Sequence, residues 1–142
     1  MNAQIKWIDG VALVGKGATN HWITMDGPEH LDGYDAASRP LELILIGLGG
    51  CTGMDVLSIL RKKRVPFTDF EISIAAEQAS EYPKVFTKIA IKFIVYGTGI
   101  NHQDVERAIE LSETKYCAAS AMLKKTADIT TEYEIRENTL QP

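Results

Sequence analysis

The hydrophobic and polar pattern changes character several times along the chain, and each change marks an element. The first 26 residues read as strands. Gln4-Ile-Lys-Trp-Ile8 and Val11-Ala-Leu-Val-Gly15 flank Asp9-Gly10, a dipeptide that accepts the positive φ angles of a tight turn, so the segment predicts a hairpin. His21-Trp-Ile-Thr-Met25 predicts a third short strand, closed by Asp26-Gly27-Pro28. Residues 27 to 39 hold Gly, Pro, Asp, His and Ser without any period. They read as a long loop, a candidate lid or disordered segment.

From Pro40 to about Lys63 the pattern predicts one long helix. Pro suits its first turn, where the missing N–H has no partner to lose. Leu41, Leu43, Ile44, Leu45, Ile46 and Leu48 leave the first half without a polar face, which is the pattern of a buried helix. Gly47, Gly49, Gly50 and Gly53 crowd around Cys51. Each costs about 1 kcal/mol against Ala in a helix interior, and close approach of another backbone or a ligand is the expected compensation. Arg61-Lys-Lys-Arg64 suits the negative end of the helix dipole, and Val65-Pro66 ends the helix.

Phe70, Ile72, Ile74 and Ala76 then alternate with Glu71, Ser73, Ala75 and Glu77, as in a strand with one wet face. Glu81-Tyr-Pro-Lys84 is a connection to a longer strand over Val85 to Tyr96, with Val85, Thr87, Ile89, Ile91, Phe93 and Val95 on one face and Lys88 and Lys92 on the other. Asn101 is placed to cap a helix whose inner stripe is Val105, Ala108, Ile109 and Ser112. A further short helix is expected from about Cys117 to Thr126, a last strand over Ile129 to Ile135, and a frayed tail from Glu137 to Pro142. The order is three strands, a buried helix, a two-strand hairpin, two helices and a strand. That is α+β, with antiparallel sheets around the helix and no doubly wound parallel sheet. So apolar a central helix needs cover from more than one sheet, and a homodimer would supply it.

Composition narrows the function. The chain has 142 residues, enough for a single domain over residues 1 to 142 with a real core. Its net charge of −4 argues against nucleic acid as a partner, since phosphate binding needs a basic face. The start has no basic region followed by an apolar one, so no signal peptide is expected. The apolar run Leu41 to Leu48 is far short of a membrane span. A cytoplasmic protein with no membrane partner is the expectation.

Candidate chemistry centres on two cysteines, Cys51 and Cys117, 66 positions apart. A lone pair of this kind points either to redox chemistry or to two core thiols. Around Cys51 the neighbours are apolar, which leaves a thiol inert unless a cation intervenes. The glycines could instead open a channel to the sulfur, letting a thiolate attack the O–O bond of a hydrophobic peroxide. Cys117 would begin a helix, where N–H groups and dipole favour a thiolate; a packed core cysteine is the equal alternative. Glu42 is a carboxylate within an apolar run, so it must be paired or reach the helix end. Arg39 is its candidate partner and the first candidate cation for Cys51, with Lys16 second. Asp55, four residues after Cys51 and on the same helical face, reads as structural. His21, His30 and His102 share no short spacing, so no metal site is expected.

At these cysteines the chain resembles the OsmC/Ohr family, the osmotically induced protein C and organic hydroperoxide resistance proteins. The likeness is carried by Pro40-Leu-Glu-Leu, Gly49-Gly-Cys51, Asp55-Val-Leu-Ser-Ile59 and Lys115-Tyr-Cys117. It covers about residues 3 to 136 and points to an OsmC-like branch of unassigned function. It implies an intertwined homodimer without cofactors, with the cysteine-bearing helices packed centrally between two sheets. It implies reduction of small hydrophobic peroxides, with Cys51 as the peroxidatic thiol, oxidised to a sulfenic acid, and Cys117 as the resolving thiol. A small dithiol or a lipoylated protein would be the reductant, and Arg39 and Glu42 would stand in for the family's activating Arg and Glu. The sequence departs from the peroxidases at Leu41, where they carry that Glu, and at Ala118, where they often have Pro. The competing expectations are an OsmC-like dimer binding a small apolar or electrophilic ligand, and a structural dimer with inert thiols.

Overall fold

The computed structural model describes residues 1 to 137; the expected fraying over residues 138 to 142 lies outside them. In chain order the elements are β1 (Ala3–Asp9), β2 (Ala12–Gly17), β3 (Trp22–Met25), a 3₁₀ turn (Glu29–Leu31), α1 (Pro40–Lys62), β4 (Phe67–Gln78), β5 (Phe86–Gly97), α2 (His102–Leu111), a π-helical turn (Ser112–Tyr116), α3 (Ala118–Leu123) and β6 (Asp128–Arg136). The chain forms two compact units, residues 1 to 46 and 47 to 142, and α1 begins in the first and continues through the second.

The first unit is an antiparallel sheet in the order β1-β2-β3. Asp9 pairs with Ala12 across the Asp9-Gly10 turn, and Leu13 pairs with Trp7 on one side and Met25 on the other. Gly10 sits at φ +50°, and any side chain there would collide with the carbonyl oxygen of Asp32. The loop after β3 is gathered around Asp26. The buried Asp26 carboxylate accepts the backbone N–H groups of Gly27 at 2.7 Å, Tyr34 at 3.0 Å and Ala36 at 3.2 Å. Burial pushes its pKa up, but the Ala36, Gly27 and Tyr34 amides and the Arg39 guanidinium outweigh it and hold the carboxyl below the usual range. Tyr34 adds a second tie, donating its hydroxyl to Asp9 at 2.6 Å.

Helix α1 starts at Pro40, and Glu42 reaches back to accept the backbone N–H of Arg39 at 2.8 Å. This is the reciprocal half of a capping box. In the second unit α1 lies on β4. A Cβ on Gly53 would come 2.8 Å from Ile72 Cδ1, and one on Gly49 would come 3.1 Å from Ile74 Cδ1, so these two glycines let the helix settle close to the sheet. Gly47 and Gly50 face no such neighbour. Leu48, Val56 and Leu60 are buried, but Leu41, Ile44 and Ile46 are exposed, Ile46 by 59%. The expectation of a first half buried all round is therefore corrected: within one chain the helix covers only part of its apolar surface. Among the described residues α1 is the one helix long and apolar enough to cross a membrane by length and composition, and 28% of its apolar window is buried.

The second sheet has the order β4-β5-β6. β4 and β5 are antiparallel, with Ile72 opposite Phe93 and Ile74 opposite Ile91. Ile89, Ile91, Phe93 and Val95 are buried as the alternation requires, and Ile94 is buried on the other face; Val85, expected with them, is exposed, and Phe86 is buried instead where the register shifts opposite Gln78. β6 pairs with β5 in parallel, Ile89 beside Ile129 and Phe93 beside Tyr133. This corrects the expectation of antiparallel sheets alone. The helical segments between β5 and β6 carry the chain back to the end where β5 began, which is the connection a parallel pair requires.

Candidate functional site

Cys51 sits at the middle of α1 and is half-buried; Asp55 lies one turn later on the same face. Cys117 arrives at the end of the helical segments that follow β5. Asn101 caps α2 by accepting the N–H of Gln103 at 2.9 Å, and α2 runs into the π-helical turn. That turn closes with Cys117 N–H donating to the carbonyl of Ser112 at 2.9 Å. Cys117 is therefore the N-cap of α3, not its first residue, and Sγ accepts the N–H of Ser120 at 3.4 Å.

The two free thiols and one carboxylate meet here. Cys51 Sγ, Cys117 Sγ and a carboxylate oxygen of Asp55 all lie within 4.8 Å of one another. Beneath them runs a polar chain. Ser112 donates to Asp55 Oδ2 at 3.1 Å, and its oxygen lies 2.9 Å from Thr52 Oγ1. A hydroxyl has one proton to give, so Thr52 donates to Ser112 and Ser112 donates to Asp55. Ser112 thus holds the Asp55 side chain with its hydroxyl and the Cys117 backbone with its carbonyl.

Burial pushes the Cys117 thiol up to about 11; the Ser120 N–H opposes this, while the neighbouring Cys51 and the Asp55 charge add to it. This corrects the expectation that a helix start would favour a Cys117 thiolate. α3 has six residues, and its amide at the sulfur does not offset the desolvation.

The other expected site residues belong to the first unit. The Arg39 guanidinium pairs with Asp35 at 2.7 Å, and Glu42 binds the Arg39 backbone. The expected side-chain pair between Arg39 and Glu42 is not formed, because the helix start claims the carboxylate. Lys16 hydrogen-bonds Asn20 and stands 4.7 Å from the Trp22 ring centre. Among the described residues, the set able to bracket a metal ion is Cys51, Asp55 and Cys117. Three donors do not close a structural zinc site, which takes four, and no histidine joins them; His102 faces the Tyr133 hydroxyl at 3.0 Å. Sequence reasoning missed Thr52 and Ser112 and assigned Asp55 to structure. The four-residue spacing from Cys51 to Asp55 was the available signal; nothing local marks the other two.

A thiol pair held between a long helix and a capped turn, on a three-stranded sheet of mixed direction, defines a small α+β dithiol protein. The chain belongs to the OsmC-like protein family, whose model matches residues 33–132. It is 40% identical over 135 residues to Protein YhfA of Escherichia coli (strain K12), covering 95% of this chain and 98% of that one. A hypothetical protein from Aquifex aeolicus VF5 shares the structure with a TM-score of 0.84 and 27% identity over 96% of both chains. The organic hydroperoxide resistance protein OsmC of Legionella pneumophila matches with a TM-score of 0.70 over 94% of this chain and 97% of that one. At 15% identity that last likeness is one of fold.

Proposed function

We propose that the protein reduces organic hydroperoxides with a two-cysteine mechanism, as a cytoplasmic homodimer that needs no cofactor. The observation that carries this reading is the approach of the Cys51 and Cys117 sulfurs to within 4.8 Å. Half-buried Cys51 is the sulfur a substrate reaches first, and the apolar residues of α1 suit a small hydrophobic peroxide. Its thiolate attacks the O–O bond, taking one oxygen as a sulfenic acid and releasing the alcohol after protonation. The Cys117 thiol then displaces that oxygen as water and forms the disulfide. A dithiol or a lipoylated protein returns both thiols to the reduced state. In this reading Arg39 is the activating cation, and Glu42 steadies it through its backbone N–H. The exposed Leu41, Ile44 and Ile46 of α1 support the second copy as the partner that covers them.

The test is consumption of cumene hydroperoxide with dithiothreitol as reductant. Wild type should turn over, Cys51→Ser should be inactive, and Cys117→Ser should complete one turnover and leave a sulfenic acid that dimedone traps at Cys51. An inert wild type, or equal single turnovers in the two variants, refutes the reading. The pairing of Arg39 with Asp35 favours a second reading, in which the site binds a small apolar or electrophilic ligand. Rapid alkylation of Cys51 without peroxide consumption would select it.

A further inference from the structure

We propose that Asp55 is the proton-transfer group of the disulfide-forming step, a role that rests on the two-cysteine reading. That step moves one proton as well as two electrons. The Cys117 sulfur bonds to the Cys51 sulfur, the S–O bond of the sulfenic acid breaks, and the departing hydroxyl must leave as water. Cys117 is oxidised and the sulfenic sulfur is reduced. The proton lost by Cys117 is the one the oxygen needs, and the carboxylate stands beside both sulfurs.

Three observations place Asp55 in this role. Its oxygen lies within 4.8 Å of both sulfurs, a span that one water or a modest closure bridges, as is usual before a catalytic hydrogen bond tightens. It is also held for the task. Ser112 occupies Oδ2, and among the described residues no group donates to Oδ1, so one oxygen stays open to receive a proton. Finally, base and nucleophile hang from the same residue, because the Ser112 carbonyl binds the Cys117 N–H.

The alternative to a base is direct attack by a Cys117 thiolate. The groups acting on that sulfur are the Ser120 N–H, Cys51 and Asp55, and with burial they leave it titrating at about 11. Only about one molecule in ten thousand would carry the thiolate at neutral pH. The negative charge of Asp55 opposes a thiolate at Cys117. It has no use in the first step, where Cys51 must be anionic. It has one in the second, where it accepts the proton while the S–S bond forms.

Asp55→Asn keeps an oxygen for Ser112 and removes the base. After one equivalent of cumene hydroperoxide, Cys51 oxidation followed by dimedone trapping should be as fast as in wild type or faster. Disulfide formation at pH 7 should slow about 100-fold or more. In Asp55→Asn its rate should climb about tenfold per pH unit up to about pH 9, as direct attack by a Cys117 thiolate requires, and in wild type the climb should be clearly shallower. Formate should restore part of the rate to Asp55→Ala. A second assay needs no peroxide: with one equivalent of Ellman's reagent on Cys51, release of the second thiolate reports attack by Cys117, and Asp55→Asn should slow it similarly. Wild-type rates and an unchanged pH profile in Asp55→Asn overturn the assignment. So does equal slowing of both steps, the mark of a structural role. Wild type inert to peroxide, with release still dependent on Asp55, would overturn the hydroperoxide reading and leave this one standing.

Discussion

Replacing Ser112 by Ala should destabilise the protein more than replacing Thr52 by Val, and the double variant should be milder than the sum of the two. The reasoning starts from burial: Ser112 is 0% exposed and Thr52 2%. Thr52→Val removes one donor of similar shape, and Ser112 still donates to Asp55, so the loss is that of one hydrogen bond, about 1 kcal/mol. Ser112→Ala strands the Thr52 hydroxyl away from water, a penalty of about 1–3 kcal/mol, and deprives Asp55 of its donor. Asp55 is half-buried, so water can replace that second bond in part, and about 3 kcal/mol in all is expected. In the double variant no hydroxyl is left stranded, and the total should be about 2 kcal/mol, a coupling of about 2 kcal/mol against additivity. For a chain of this length 1 kcal/mol moves Tm by about 2–4 °C. Ser112→Ala should therefore melt about 6–12 °C lower, and Thr52→Val about 2–4 °C lower. Urea unfolding under reducing conditions, at one protein concentration, measures all four corners of the cycle. Additive losses, or a Ser112→Ala variant no weaker than Thr52→Val, would refute the polar chain as part of the folded state.

Asp26 should tie stability to acid. Its pKa is lowered from 3.8 by folding, so its contribution is present above the unfolded value and vanishes as pH falls through the folded one. Asp26→Asn should thus be less stable than wild type at pH 7, with the gap closing as pH drops below about 3.8; an equal gap in urea midpoints across that range would contradict it. Ile46→Glu should shift the protein toward monomer in sedimentation at micromolar concentration, because a dimer covering this helix should bury more than about 2,000 Å² in total. A wild type already monomeric there would remove the dimer from the proposed function.

Much of the fold was legible because its signals are local. Asp9-Gly10 announces the first hairpin, the β5 alternation its buried face, Asn101 the start of α2, and Pro40 the start of α1. What escaped depends on contacts that no window contains. The direction of β6 follows from where α2 and α3 deliver the chain. The loop after β3 looks structureless until the Asp26 carboxylate is seen gathering three amides. Cys117 reads as the first residue of a helix because Ala118-Ala-Ser-Ala-Met122 continues the pattern after it, whereas the structure sets it one position earlier, as the cap. The cysteine pair itself stood out by rarity. Its polar support did not: Thr52 and Ser112 are 60 positions apart, and each is an ordinary small polar residue until packing joins them.

The sulfur that caps α3 is the same sulfur a disulfide would claim. A helix of six residues cannot hold itself together by propagation alone, and the first turn of α3 is tied to Cys117 twice, by the Ser120 N–H on its sulfur and by the Ala121 N–H on its carbonyl. A disulfide of the proposed kind would take that sulfur from the Ser120 N–H, and the change would reach the surface through the short helix that carries the exposed Met122.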